Sequence, residues 1–173
     1  MSPTEFLAEP DVVALDLQAF SGEEAVRALH ARLTDPSRAA GASGAPPGSS
    51  AIRVGAAITD APGFLTDVLG RMRLASVCLA EDIALPHART DAVARMVLAV
   101  GRVRSGVAFD AEHPAVRLVF LIGTPRRDVG EYLKVVAALS RLLRQPAVRS
   151  GLLAARDEAE FRSLLAGRPV AAR

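Results

Sequence analysis

The chain has 173 residues, half of them apolar, with 21 basic against 19 acidic side chains and a formal net charge of +2. That length fits one domain with a real core, and the basic residues, 20 of them arginine, are scattered without aromatic interleaving, which argues against a nucleic-acid partner. The single cysteine, Cys78, excludes an internal disulfide framework, no apolar run nears the ~18 residues of a membrane span, and the acidic start MSPTEFLAEPD lacks a signal core, so a cytoplasmic protein without membrane insertion is expected.

Residues 12–17 read as a short strand. Ser21 opens a helix, with Glu24 three residues on in capping-box position. Val26, Leu29 and Leu33 give that helix its apolar stripe, and His30 reads as a helix-surface residue, since nothing nearby in sequence supplies a second ligand or base. Residues 35–50, DPSRAAGASGAPPGSS, hold almost no large apolar side chain. Such a segment buries too little surface to offset its ordering entropy, so a surface loop is expected within one domain spanning residues 1–173.

A second helix follows from about Pro62, a residue suited to a first turn, with Phe64, Leu65, Val68, Leu69 and Met72 at helical spacing. Arg71 and Arg73 fall at its end, where cations complement the helix dipole. Short extended pieces come next at 76–79 and 83–85. Residues 96–103 and 116–122 are the clearest strands, nearly apolar on both faces, as in a sheet covered by helices on each side. His113 precedes a proline between them and reads as a solvated turn residue. A helix over 131–144 carries Tyr132, Val135, Val136, Leu139, Leu142 and Leu143, and Pro146 is taken to stop it. A last helix begins at Asp157, with Glu160 in capping-box position and Gly167 just beyond. Helices and strands alternate without simple βα repetition, so the expected fold is α/β, a single domain with a central mixed sheet flanked by helices on both faces.

For chemistry, Leu85-Pro86-His87-Ala88-Arg89 stands out. It places a histidine after a strand end and a stiff proline, where a rigid scaffold presents reactive side chains. A lone histidine in such a loop is still more often structural than reactive. The chain has no histidine pair at metal-ligand spacing, no cysteine pair and no glycine-rich phosphate loop. Neither a metal nor a cofactor is expected. Cys78 reads as a small turn residue, since no partner base or helix N-terminus is evident to activate it.

Three blocks carry a family resemblance. RMRLASVCLAEDIALPHAR, from Arg71 to Arg89, resembles an arginine, a turn and an "IA-[IVL]-PH-[AG]" ending. GRVRSGVAFDAEHPAVRLVFLIGTP, from Gly101 to Pro125, resembles an "R…GV-x-F-D…PV-x-L-V-F-L-I…P" block. EYLKVVAALSRLL, from Glu131 to Leu143, resembles an "E-H-L" helix. In this order the blocks are similar to the fructose/mannitol-type enzyme IIA family of the bacterial sugar phosphotransferase system, which includes the nitrogen-regulatory IIA proteins. The resemblance implies that His87 accepts a phosphoryl group and that Arg71, 16 residues earlier, flanks it. It also implies that Tyr132 replaces the family's second active-site histidine, in the "E-H-L" slot. The usual Gly-Ser-Thr-Gly-type turn departs here, becoming residues 75–80.

The residue chemistry suits that role. Neutral imidazole is a nucleophile near pH 7, phosphoryl transfer needs mainly positioning and charge stabilisation, and arginine supplies a planar multi-donor cation. The resemblance implies a histidine-containing phosphocarrier protein as donor. The acceptor would be either a cysteine-bearing IIB domain, tied to a membrane transporter, or a regulatory protein. A non-catalytic regulatory module that signals by docking alone is the alternative.

Overall fold

A computed structural model describes residues 2–35 and 57–168. The loop expected over 35–50 lies, apart from Asp35, outside the described residues. In chain order the elements are α1 (Pro3–Ala8), β1 (Val12–Ala14), α2 (Gly22–Thr34), α3 (Ala61–Leu74), β2 (Cys78–Ala80), β3 (Ile83–Ala84), β4 (His87–Thr90), β5 (Val97–Val107), β6 (Val116–Pro125), α4 (Val129–Leu143), α5 (Pro146–Ala154) and α6 (Glu158–Leu165). The strands form one mixed sheet in the order β1-β5-β6-β3-β2, with β4 also paired to β6.

Strand β6 is the spine of the molecule. Residues Leu118 to Ile122 are all fully buried, and their side chains alternate between the two faces of the sheet. Val119 and Leu121 pack with Val26 and Leu29 of α2 and Phe64 and Val68 of α3. Leu118, Phe120 and Ile122 pack on the opposite face with Phe6 of α1, Leu139 of α4, Leu152 of α5 and Phe161 of α6. Each large apolar side chain removed from water here is worth about 1.5–3 kcal/mol. The nearly continuous apolar run of β6 therefore reflects a strand covered on both faces.

Two glycines set the spacing around this spine. Gly106 takes φ 73° near the end of β5, where the pairing register with β6 shifts between Arg102 and Val107, a left-handed conformation that favours glycine. Gly123 lets α3 approach the sheet, because a Cβ there would stand 2.8 Å from the Phe64 ring.

Four sequence expectations are corrected. The first strand is Val12–Ala14 and does not reach residue 17. Leu17 instead donates its N–H to Arg102 O. Pro146 does not simply end a helix. It occupies the first turn of α5, where its missing N–H has no intrahelical partner to lose. The motif histidine follows the end of β3 and the proline as expected, but it does not stand in a loop: His87 opens β4. Finally, Glu24 caps differently from a standard box, since its carboxylate accepts from Phe20 N–H while Ser21 Oγ accepts from Glu24 N–H.

Arg102, on β5, is 1% exposed and lies within the core. Its Nε donates to Leu15 O (2.9 Å) and its Nη1 to Leu152 O (3.2 Å), Leu153 O (2.9 Å) and Ala155 O (2.8 Å). The last three carbonyls end α5, where backbone acceptors lack helical partners and carry the negative end of the helix dipole.

Candidate functional site

Strands β3 and β4 are one extended segment broken by a proline. Ile83 pairs with Leu118 and His87 with Ile122, so the parallel register against β6 carries through the break. Pro86 has no N–H to give, but its carbonyl still accepts from Ile122 N–H at 3.0 Å. At the break, Leu85 O is turned to the His87 ring and accepts from Nδ1 at 2.9 Å. A carbonyl only accepts, so Nδ1 carries the proton of the neutral ring and the Nε2 lone pair is free.

Helices α3 and α4 bring side chains to this histidine from opposite faces of the sheet. α3 is capped by Asp60, whose carboxylate accepts from Gly63 N–H at 3.0 Å, and it runs to Leu74. Near its end Arg71 donates from Nη1 to Ala75 O at 3.1 Å, which tethers the side chain without using up its charge. From α4, the Tyr132 ring stands with its centroid 5.3 Å from that of His87, tilted by 34°. His87, Tyr132, Arg71, Arg89, Arg126 and Asp67 line one cleft of about 790 Å³. Two exposed apolar side chains, Leu74 (83%) and Leu133 (59%), stand on its rim.

The electrostatics favour an anion. Burial holds the His87 imidazole below the ordinary histidine value, against its Leu85 hydrogen bond, and the charges of Arg71 and Arg89 push the same way. Burial pushes the Tyr132 phenol above its usual value, although both arginines oppose this, so it stays protonated at neutral pH. Among the described residues neither Arg71 nor Arg89 has a carboxylate within ion-pairing distance. Arg126, by contrast, is paired to Asp91 at 3.1 Å. A neutral imidazole beside two uncompensated guanidiniums offers a nucleophile together with compensation for arriving negative charge.

Residues 6–167 match the family described as "Phosphoenolpyruvate-dependent sugar phosphotransferase system, EIIA 2". The chain belongs to this family. Among curated EIIA relatives, the PTS system fructose-specific EIIA component of Haloferax volcanii is 34% identical over 63% of this chain and 71% of its own length. A nitrogen regulatory protein of Bradyrhizobium diazoefficiens is 28% identical over 61% of this chain and 69% of its own. The solved complex of Escherichia coli enzyme IIAMTL with phosphorylated enzyme IIBMTL superposes with a TM-score of 0.69 at 22% identity, covering 92% of this chain and 97% of that one. At that identity it establishes the shared EIIA fold, a single domain with a mixed sheet between helices.

Of the three site residues read from the EIIA resemblance, the structure places Tyr132 against His87, and Arg71 beside both. Sequence reasoning passed over Arg89. Its signal was the strand period, since residues 87 and 89 fall on the same face of β4. The other two histidines differ from expectation. His30 is 9% exposed rather than on the helix surface, with Nε2 2.8 Å from Ala61 O and its ring 5.8 Å from that of Phe64. It lies four residues after Val26, on the helix's buried face. His113 is not fully solvated: its side chain is 18% exposed, with Nδ1 2.7 Å from Asp110 Oδ1. No helix among the described residues is long and apolar enough to cross a membrane.

Proposed function

We propose that this EIIA-family protein is a histidine phosphocarrier whose acceptor atom is His87 Nε2. The observation that carries the reading is the fixed tautomer: Leu85 O holds the proton on Nδ1 and leaves Nε2 nucleophilic in a cleft flanked by Arg71 and Arg89. In the forward step the Nε2 lone pair attacks the phosphorus of a phosphohistidine on a small histidine-containing donor protein. The donor's P–N bond breaks, and its imidazole leaves with the bonding pair. The His87 ring then carries formal positive charge, which its Nδ1–H shares with Leu85 O, while Arg71 and Arg89 balance the phosphoryl oxygens. Tyr132 keeps its proton and donates one hydrogen bond to a phosphoryl oxygen, adding no charge.

In the second half-reaction a thiolate of a IIB partner attacks the same phosphorus and the Nε2–P bond breaks, restoring neutral His87. The fructose-specific relative supports a IIB domain of fructose type as acceptor. The nitrogen regulatory relative supports a second reading, in which phosphorylation of His87 switches docking to a regulatory target. The two readings share the first step and part at the second. Leu74 and Leu133 on the cleft rim suit an apolar protein surface in either case.

The test is incubation with phosphoenolpyruvate, enzyme I and the histidine phosphocarrier, read by intact mass. One acid-labile phosphoryl group per chain is expected, absent in His87→Ala. Discharge on adding a fructose-type IIB domain distinguishes transport from regulation. No adduct on the wild type, or an undiminished one on His87→Ala, refutes the assignment.

A further inference from the structure

A second group of reactive side chains gathers where the α3–β2 connection meets the β5–β6 loop. Ser76 Oγ donates to Asp110 Oδ2 at 2.7 Å. Asp110 Oδ1 accepts from the backbone N–H of Glu112 (3.0 Å) and of His113 (2.8 Å), and lies 2.7 Å from His113 Nδ1. Cys78, on β2, completes the group: its sulfur, a carboxylate oxygen of Asp110 and a ring nitrogen of His113 all lie within 4.8 Å of one another. All three residues are partly buried. Three chemistries come from two segments more than thirty residues apart, and the fold alone unites them.

A sulfur, a carboxylate oxygen and an imidazole nitrogen converging on one point are the donor types that a borderline-soft divalent cation takes, and a thiolate with the carboxylate would balance its two charges.

We propose that Cys78, Asp110 and His113 form a zinc site, ligating through Sγ, one carboxylate oxygen and one imidazole nitrogen, with water in the fourth position. Thiolate with imidazole suits Zn²⁺ and not the oxygen-seeking Mg²⁺ or Ca²⁺. Zinc bonds of about 2.0–2.3 Å set tetrahedral ligand atoms roughly 3.3–3.7 Å apart, so binding brings the three ligand atoms, now within 4.8 Å of one another, to that spacing and replaces the 2.7 Å contact between Asp110 Oδ1 and His113 Nδ1. The Cys78 thiol proton leaves to solvent, the Zn–S bond forms and no electron is transferred. Ser76, already bonded to Asp110, supplies the outer support that metal-bound carboxylates characteristically have. The ion would clip the β5–β6 loop to β2. The site is independent of His87 chemistry, so its failure leaves the phosphocarrier reading standing.

The test uses the full chain, reduced and freed of metal with a chelator, then titrated with ZnCl₂ by calorimetry and with CoCl₂ by absorption. One ion per chain is expected, with a thiolate-to-cobalt charge-transfer band. Cys78→Ser removes the band, His113→Ala weakens zinc at least tenfold, and Ser76→Ala weakens it by about 10–100-fold. His87→Ala retains wild-type zinc stoichiometry, and MgCl₂ gives no binding. Circular dichroism and metal-free melting of each variant separate lost ligation from lost folding. Absence of zinc binding to the wild type overturns the site. So does a folded Cys78→Ser protein that binds zinc as the wild type does, or loss of binding in His87→Ala.

Discussion

His30 and His87 are alike in every respect that a residue count would register. Both are at least half-buried, both give a ring nitrogen to a backbone carbonyl, and burial lowers the pKa of both. Their surroundings separate them. His30 is wedged between α2 and α3 against Phe64, with its ring nitrogen committed to Ala61 O. His87 stands at the border of a cleft, with two cations nearby and a protein ring on one side only. Burial and a fixed tautomer make a histidine rigid. An open nitrogen facing uncompensated positive charge is what suits one of them to the phosphoryl acceptance proposed for it.

The largest expected effect breaks that comparison outright. His87→Ala should abolish phosphoryl acceptance while leaving the melting transition near that of the wild type. His30→Ala should still accept a phosphoryl group but lose about 1–3 kcal/mol of stability, because it opens a packed contact with Phe64 and removes the ring's hydrogen bond to Ala61 O. Urea unfolding and intact mass on the same two variants read both halves. A labelled His87→Ala protein would erase the distinction.

Next in size is the charge around His87. Arg71→Ala removes one of the two free guanidiniums and should slow transfer by about 10²–10³, the range seen when a transition-state donor is deleted. Rapid-quench measurement of phosphoryl uptake checks it, and an unchanged rate would leave Arg89 as the operative cation. A smaller change follows from Tyr132→Phe, which keeps the ring packing and removes one hydrogen bond to a charged acceptor, worth roughly 1.5–3 kcal/mol. Uptake should slow or the phosphohistidine lifetime shorten, without loss of stability. Tyr132→His, which restores the family's residue, should remain a working acceptor.

The smallest effect is in pH dependence, where the two histidines should agree. Each folded pKa lies below the unfolded value of about 6.5. Between the two values the unfolded chain holds more protons, so stability rises with pH there and is fully present above about 6.5. As pH falls from 6.5 through the folded values, that contribution is lost. NMR titration of the imidazole protons should place both midpoints below 6.5, and His30→Ala should flatten the acid-side decline in urea midpoint. For His87 the same shift keeps Nε2 neutral and nucleophilic at mildly acidic pH.

How far this site could be read from the sequence depended on chain distance. The apolar runs of β5 and β6 and the stripes of α2, α3 and α4 are visible because their periods are local. Strand β4 was not, because four residues after a proline carry no pattern of their own and hold their shape only by pairing with β6. Helix α5 was hidden by Pro146, which reads as a stop until it is seen in a first turn. His30 was misread although its spacing from Val26 carried the signal. The contact between Tyr132 and His87 depends on α4 crossing the sheet beside β4, which only the resemblance pointed to. The meeting of Cys78 with Asp110 and His113 could not be seen at all, since it depends on the sheet bringing β2 near the β5–β6 loop.

Arg102 also bears on the order in which this protein can be made. Its guanidinium belongs to a middle strand, yet three of its four carbonyl partners lie in residues 152–155. On the ribosome, β5 and β6 emerge well before those partners, and domains generally fold as units. Until α5 arrives, closing the sheet would strand a cation in an apolar layer, a fault that costs several kcal/mol. The burial of Arg102 is complete only when the end of α5 is in place, which couples this middle strand to a segment made about fifty residues later.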